Sequence, residues 1–324
     1  MRPRNVGGFR EGGGVSGSGV GRFAGVVTAA ELVAAGASDS QIRRLVRRGV
    51  LLRLGYGTYA RAALVPAEPP GRAREHALRV AAALAVTGPG AVASHHSAAL
   101  IHGLDMLGRV PRDLVAVTRP PGGTSTRTGR EGIRLHIAAL PAEHLSVRDG
   151  TPVTSLARTA ADLARASTFA QGVVVADSAL RTGRVSKAEL DLCLTRCAGW
   201  PGIRNARRAA AFADGRSESV LETIARIAFR DHGLPPPDLQ AWVGSADEVI
   251  GRADFLWRAY RTVGEADGAV KYADPARAMT QLDRDARLRG AGFEVVHFTW
   301  PQITRTPDRV VASIRAAFRR GSVR

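Results

Sequence analysis

From residue 217 onward, a helix-length segment runs to His232 and stops at Gly233, and four apolar stretches of strand length follow, at 239–243, 253–257, 262–267 and 294–299. A strongly charged segment with helical spacing, 276–290, separates the third stretch from the fourth. Helix, three strands, helix and strand in that order can close one hydrophobic core only as a sheet covered by helices. Residues 216–324 are therefore expected to form an α/β domain.

Its acidic residues fall at meaningful spacings. Glu218 and Glu222 are four apart, one above the other on a single helical face. Asp254 stands in RADFLW at the start of one strand, and Glu265 and Asp267 stand in VGEADG at the end of the next. Side chains two apart on a strand share a face, so Glu265 and Asp267 point together. A hairpin through 258–261 would bring Asp254 beside them. Hard oxygens converging on one point repel unless a divalent cation lies between them, and Mg²⁺, or Mn²⁺ in its place, is the expected occupant. Such an ion activates water for in-line attack on a phosphodiester.

The rest of the chain carries the positive charge. With 324 residues there is material for more than one core, and three domains are expected. Lys and Arg total 46 against 29 Asp and Glu, a formal net charge of +17. Residues 1–216 hold 30 basic and 15 acidic side chains, while 217–324 hold 16 and 14, so the basic surface and the acidic site belong to different regions. A polyanionic partner, DNA first, is the implication. Only Lys187 and Lys271 are lysines; arginine suits phosphate forks, although a GC-rich genome accounts for the same skew. Cys193 and Cys197 make neither a disulfide framework nor a zinc set and read as buried thiols. No apolar run has the length of a membrane span and residues 1–21 lack the core of a signal peptide, so no membrane partner and a cytoplasmic location are expected.

Residues 1–21, rich in Gly, Ser and Arg, are expected to be a disordered tail. Order is expected from about Phe23. Thr28 followed by Glu31 marks a capped helix start, and a second helix begins at the Ser38-Asp39-Ser40 cluster. That helix sets Ile42, Leu45 and Val46 on one face and Arg43, Arg44, Arg47 and Arg48 on the other. Gly49 ends it, and 50–59 reads as strand, tight turn and strand, with Arg53 on the first strand and Tyr56 and Tyr59 packing the hairpin. Helix, turn, helix and hairpin predict a winged helix over 22–64. A proline-rich linker at 66–70 leads to a mixed α/β middle domain, 71–215. It holds a long Ala-rich helix at 74–87, strands at 115–119 and 133–137, a capped helix at 154–165, and Arg204, Arg207 and Arg208 on a closing helix. His95, His96 and His102 lack a nearby acid and read as hydrogen-bonded histidines rather than metal ligands.

The stretch TAAEL, the Arg-rich helix and LLRLGYGTYA resemble the N-terminal domain of AbiEi-type antitoxins and related bacterial regulators, and SHHSAALIHGL and VTSLARTAADLA resemble the region that follows it. Further on, SESVLE, DFLW, EADG, RDARLRGAGFEVVHFTW and a last helix at 310–320 resemble, in order, a domain family related to the very-short-patch-repair endonuclease, within the PD-(D/E)xK nucleases. The two resemblances imply an α/β chain of α+β multidomain arrangement: winged helix, mixed middle domain and restriction-endonuclease-like αβββαβ core. The second implies Asp254, Glu265 and Glu222 as metal carboxylates, Asp267 and Lys271 as further catalytic residues, and phage defence as the setting. Two positions depart from its pattern: Asp267 stands where lysine is usual, leaving Lys271 as the nearest replacement, and Gln281 stands where glutamate is expected. Arg284 and Arg287 are available to clamp phosphate. The competing expectation is an antitoxin-like regulator whose nuclease fold has decayed into a binding module. Expected partners are DNA, a cognate toxin and a second copy of the chain.

Overall fold

The computed structural model describes residues 25–55, 57–65, 71–110, 113–122, 132–244, 249–268 and 275–322. The 1–21 tail, Phe23, Tyr56, the 66–70 run and Lys271 lie outside the described residues. The chain is mixed α/β, with three sheets and twelve α-helices among those residues.

The first sheet is built from β1 (Val26–Thr28), β2 (Leu51–Gly55) and β3 (Thr58–Arg61), in the order β1-β3-β2 and antiparallel throughout. Between β1 and β2 lie α1 (Ala29–Ala34) and α2 (Asp39–Arg47). Both helices begin on complete capping boxes, Thr28 with Glu31 and Ser38 with Gln41, which satisfy backbone N–H groups that have no partner within a helix. Gly49, at φ +68°, turns the chain out of α2 into β2.

Next comes α3 (Gly71–Thr87), which serves two cores from opposite faces. Leu78 and Ala82 pack with Leu54 and Ala60 of the first sheet, while Val80, Ala83 and Leu84 pack with Val115 and Val117 of the second. The second sheet comprises β4 (Val92–Ala93), β5 (Val115–Arg119), β6 (Ile133–Ile137), β7 (Leu145–Arg148) and β8 (Thr151–Thr154), in the order β6-β5-β4-β8-β7. α4 (His95–His102) lies between β4 and β5 in the chain. A helical layer follows, α5 (Leu156–Arg165), α6 (Phe169–Arg181), α7 (Lys187–Arg196) and α8 (Ile203–Phe212), whose small side chains Ala160, Ala164, Ala176, Ala206 and Ala209 allow close approach in one core with both buried, free cysteines.

The third sheet contains β9 (Asp238–Gly244), β10 (Val249–Trp257), β11 (Thr262–Asp267) and β12 (Glu294–Thr299), in the order β12-β11-β10-β9. Its first three strands are antiparallel; β11 and β12 are parallel, joined by a crossover through α10 (Pro275–Gly290). α9 (Val220–Asp231), α11 (Trp300–Arg305) and α12 (Pro307–Gly321) close one face over Phe229, Phe255, Trp257, Phe298 and Phe318. The aromatic rings there meet mostly edge to face, which their quadrupoles favour. On the opposite face, Leu288 of α10 packs against Leu256 and Val263. Among the described residues no helix is long and apolar enough to cross a membrane.

Candidate nucleic-acid interface and acidic site

Helix α2 is amphipathic in a simple way. Ile42 is its buried side chain, and Arg43, Arg44, Arg47 and Arg48 are all exposed. Arg53, on β2, is exposed as well. None of these five guanidinium groups has an acid partner among the described residues. Several arginines elsewhere are engaged by acids, Arg79 by Glu75, Arg158 by Asp162, Arg181 by Asp105, Arg226 by Asp177 and Arg320 by Glu294.

In the third sheet, antiparallel pairing sets Phe255 opposite Gly264 and so Asp254 opposite Glu265, on the face turned toward α10. Val263, Glu265 and Asp267 share that face by the strand period. Each acid is held individually. Asp254 accepts one hydrogen bond from the Ala266 N–H (2.9 Å) and one from Gln240 Nε2 (3.2 Å). Gln240 Nε2 also donates to Glu222 at 2.9 Å, so a single amide ties α9 to β10. Gln240 reaches both carboxylates from φ +50°, a backbone conformation a non-glycine residue adopts only when its surroundings enforce it. Glu222 further accepts from the Glu218 N–H and Ser219 Oγ. Burial, with the Asp254 charge adding to it, pushes the Glu222 carboxyl above the usual range against those hydrogen bonds. Glu218 itself faces outward and pairs with Arg252 at 2.8 Å.

Glu265 and Asp267 are met by cations from α10 and β12. Arg284 Nη2 lies 3.0 Å from Glu265 Oε1, an ion pair without hydrogen-bond alignment, and donates to the Arg252 carbonyl at 2.6 Å. His297 sits between two carboxylates, Nδ1 at 3.0 Å from Asp267 and Nε2 at 2.8 Å from Asp285. These acids raise its pKa above 6.5 against the opposing effect of burial. Gln281 donates to the other oxygen of Asp285.

The structure thus brings Glu222, Asp254 and Glu265 to one end of the third sheet, with Asp267 one layer further along β11. Sequence reasoning missed Gln240, Asp285 and His297. His297 carried a signal, being a titratable group set between Val296 and Phe298 in an apolar strand. Arg284 is engaged with Glu265 and a carbonyl, and Arg287 with the Val249 carbonyl, rather than standing free for phosphate. Among the described residues no three His, Cys, Asp or Glu side chains converge as a metal cage. With Arg284 on Glu265 and Gln240 between Glu222 and Asp254, the donor set as arranged does not fit a divalent ion.

The histidines of the middle region make internal contacts, although His102 Nδ1 and His136 Nε2 are buried without a hydrogen-bond partner among the described residues. His96 and His102 bond the carbonyls of Leu114 and Thr154, each at 2.7 Å, and His95 stacks on His136 with ring centroids 3.7 Å apart.

Residues 22–62 match the family model described as "Transcriptional regulator, AbiEi antitoxin". The uncharacterized protein Rv2248 of Mycobacterium tuberculosis strain H37Rv is 31% identical over 269 residues, 83% of this chain and 93% of the relative. The chain belongs to the family of that mycobacterial protein. MT2308, an uncharacterized protein of strain CDC 1551, matches to the same extent. The crystal structure of the RV2827C protein from the same species aligns over 68% of this chain and 83% of its own, at 20% identity and a TM-score of 0.38. The antitoxin-type domain at the N-terminus takes in β1, α1, α2, β2 and β3, the elements that present Arg43 to Arg53, and stops well short of the acidic site.

Proposed function

We propose that this protein is a DNA-binding transcriptional regulator of the antitoxin type, whose N-terminal domain works as a winged helix. In this reading α2 lies against duplex DNA and the β2–β3 hairpin flanks it. The single observation that carries the proposal is the set of five exposed arginines without acid partners among the described residues, gathered on α2 and β2. Guanidinium groups left in water beside one another repel, and a phosphate backbone relieves that repulsion while releasing counterions. Phosphate contacts of this kind set affinity and orientation; the bases contacted would set sequence preference.

Fluorescence anisotropy with a labelled duplex, repeated across a range of NaCl concentrations, tests the proposal. Binding that weakens steeply with salt is expected for the wild type. Replacement of Arg43, Arg44, Arg47 and Arg48 by Ala should abolish it without loss of the folded core. Binding with a flat salt response, or binding that survives the fourfold change, would sink the reading.

A second reading retains residues 216–324 as a restriction-endonuclease-like domain that hydrolyses phosphodiesters with Mg²⁺ or Mn²⁺ and acts in phage defence. The facing pair Asp254 and Glu265, together with the buried Glu222, favours it. Arg284 would have to leave Glu265 for an ion to enter. Cleavage of plasmid and single-stranded DNA by the wild type, lost in Asp254→Ala and Glu265→Ala, would establish this activity. No cleavage, together with no metal-induced rise in melting temperature, would leave the acids structural. A cognate toxin as partner accords with the antitoxin description of the N-terminal domain.

A further inference from the structure

The β7 edge of the second sheet has the features of a strand-docking site. Among the described residues β7 is terminal in the order β6-β5-β4-β8-β7 and pairs only with β8. Because the His144 carbonyl accepts the Ser155 N–H at 2.9 Å, the register places the ladder bonds with β8 at residues 146 and 148. The Val147 N–H and C=O and the Leu145 C=O then turn to the open edge, the Leu145 N–H being taken by the Ala142 carbonyl. Pro152 stands opposite Val147, at a position where this register asks for no N–H. Natural edge strands are usually blunted by charge or proline on the exposed side; here Val147 is 65% and Leu145 39% exposed.

Beside this edge lies a groove of about 480 Å³ between β7 and α7. Leu192 of α7 adds a third exposed apolar side chain to its rim, 52% exposed. The charges in the groove do not balance. Glu143 is paired with Arg196 at 2.6 Å, and Glu189 is taken up by the Ser186 cap at the start of α7. Arg184 donates only to the His102 carbonyl, and Arg148, whose Nε is buried without a hydrogen-bond partner, faces no acid among the described residues.

We propose that an extended acidic segment of a partner protein, with apolar side chains at alternate positions, docks here by adding a strand to β7. Main-chain bonds to Leu145 and Val147 would give affinity, Leu192 and the two exposed β7 side chains would read the apolar positions, and Arg148 and Arg184 the acids between them. A second copy of the chain is a poorer occupant, because two β7 edges meeting across a two-fold axis would set Arg148 and Arg184 of each against those of the other. A nucleic acid has no use for three apolar side chains beside an open strand edge.

The test uses the full chain and a fluorescein-labelled peptide of strand length in which Glu alternates with Val, with a Lys–Val peptide as control. Saturable anisotropy change is expected for the acidic peptide alone, weakened on the order of tenfold in Arg148→Glu/Arg184→Glu. Amide hydrogen exchange should slow at Val147 when the peptide is bound. Arg148→Glu alone, a side chain without a bonding partner among the described residues, keeps the test decisive should the change at Arg184 disturb the fold. The proposal is overturned by absence of saturable binding, by equal binding of the charge-reversed variants, or by exchange unchanged at the Val147 amide. A chain that dimerises with concentration, and loses that dimer in Val147→Pro, would also overturn it by showing that the edge pairs with itself.

Discussion

Asp177 on α6 and Arg226 on α9 meet at 2.8 Å, 1% and 9% exposed, and join the helical layer to the first helix of the third-sheet region. The same Asp177 oxygen accepts from Thr223 Oγ1 at 2.7 Å, and the other accepts the Asp214 N–H at 2.8 Å. Arg226 also donates to the Phe212 carbonyl and lies over the Phe212 ring. Burial raises the Asp177 pKa even though Arg226 opposes it, so this acid depends on its partners to remain charged. Arg226→Leu should destabilise the fold by about 3–5 kcal/mol, because it strands a buried carboxylate. Replacing both residues by apolar ones should cost less than that single change. Urea unfolding of the two variants checks the order.

The arginine face of α2 makes a graded prediction. Each of Arg43→Ala, Arg44→Ala, Arg47→Ala and Arg48→Ala that removes a phosphate contact should flatten the slope of log K against log salt by about 0.9, with little change in melting temperature. Ile42→Ala should do the reverse, lowering stability by about 2–5 kcal/mol because a buried anchor is lost. Titrations at four or more salt concentrations, beside thermal melts, separate the two outcomes.

A pH dependence follows from His297. Its folded-state pKa lies above 6.5 because Asp267 and Asp285 favour the imidazolium. The stability it contributes is present in full below 6.5 and is lost as pH rises through the folded value. Thermal melts from pH 6 upward should show a decline that His297→Gln removes. A wild-type profile identical to that of the variant would contradict the assignment.

His95 and His136 act in the opposite sense. Burial lowers the first to about 2 and the second to about 4, with neighbouring histidine and arginine charges adding to the effect. The unfolded chain takes up protons near 6.5 while the folded protein refuses them, so stability falls as pH drops from 6.5 toward 4 and below. His136→Phe, which keeps a stacking ring, should make the acid side of the profile shallower.

Close approach of backbone gives a further point of fragility. Gly202 precedes α8 at φ +77°, and a Cβ there would lie 2.0 Å from the Arg165 carbonyl oxygen. Gly202→Ala should cost about 2 kcal/mol or more, combining the left-handed backbone with the collision. Differential scanning calorimetry would register it; an unchanged melting temperature would mean that α8 shifts freely.

Local signals in the sequence were legible where local forces decide. Thr28 with Glu31 announced α1, the Ser38 cluster announced α2, and the two-residue spacing of Glu265 and Asp267 placed both on one strand face. The apolar run at 173–180 fits helix or strand equally by its pattern, because α6 is buried on nearly every side and shows no amphipathic period. The β7–β8 hairpin went unread, since Pro152 and the single-residue alternation of β7 leave little apolar pattern to find. Partners distant in the chain were invisible altogether. Nothing near Asp177 in sequence points to Arg226, 49 positions away, and nothing near Asp254 points to the amide of Gln240. A spacing rule identifies which acids can meet, but the neighbours that neutralise them come from packing of elements far apart.

The parallel pairing of β11 with β12 imposes an order of events on a ribosome. Asp267 leaves the exit tunnel 30 residues before His297, and in that interval its strand has no β12 to pair with and its carboxylate no imidazolium to face. Antiparallel β9, β10 and β11 can assemble as a meander in the meantime, while α10 must wait for β12 before the crossover closes. Nascent chains stalled short of residue 294 would therefore expose an unfinished sheet edge, and it is there that a chaperone should be found holding the chain.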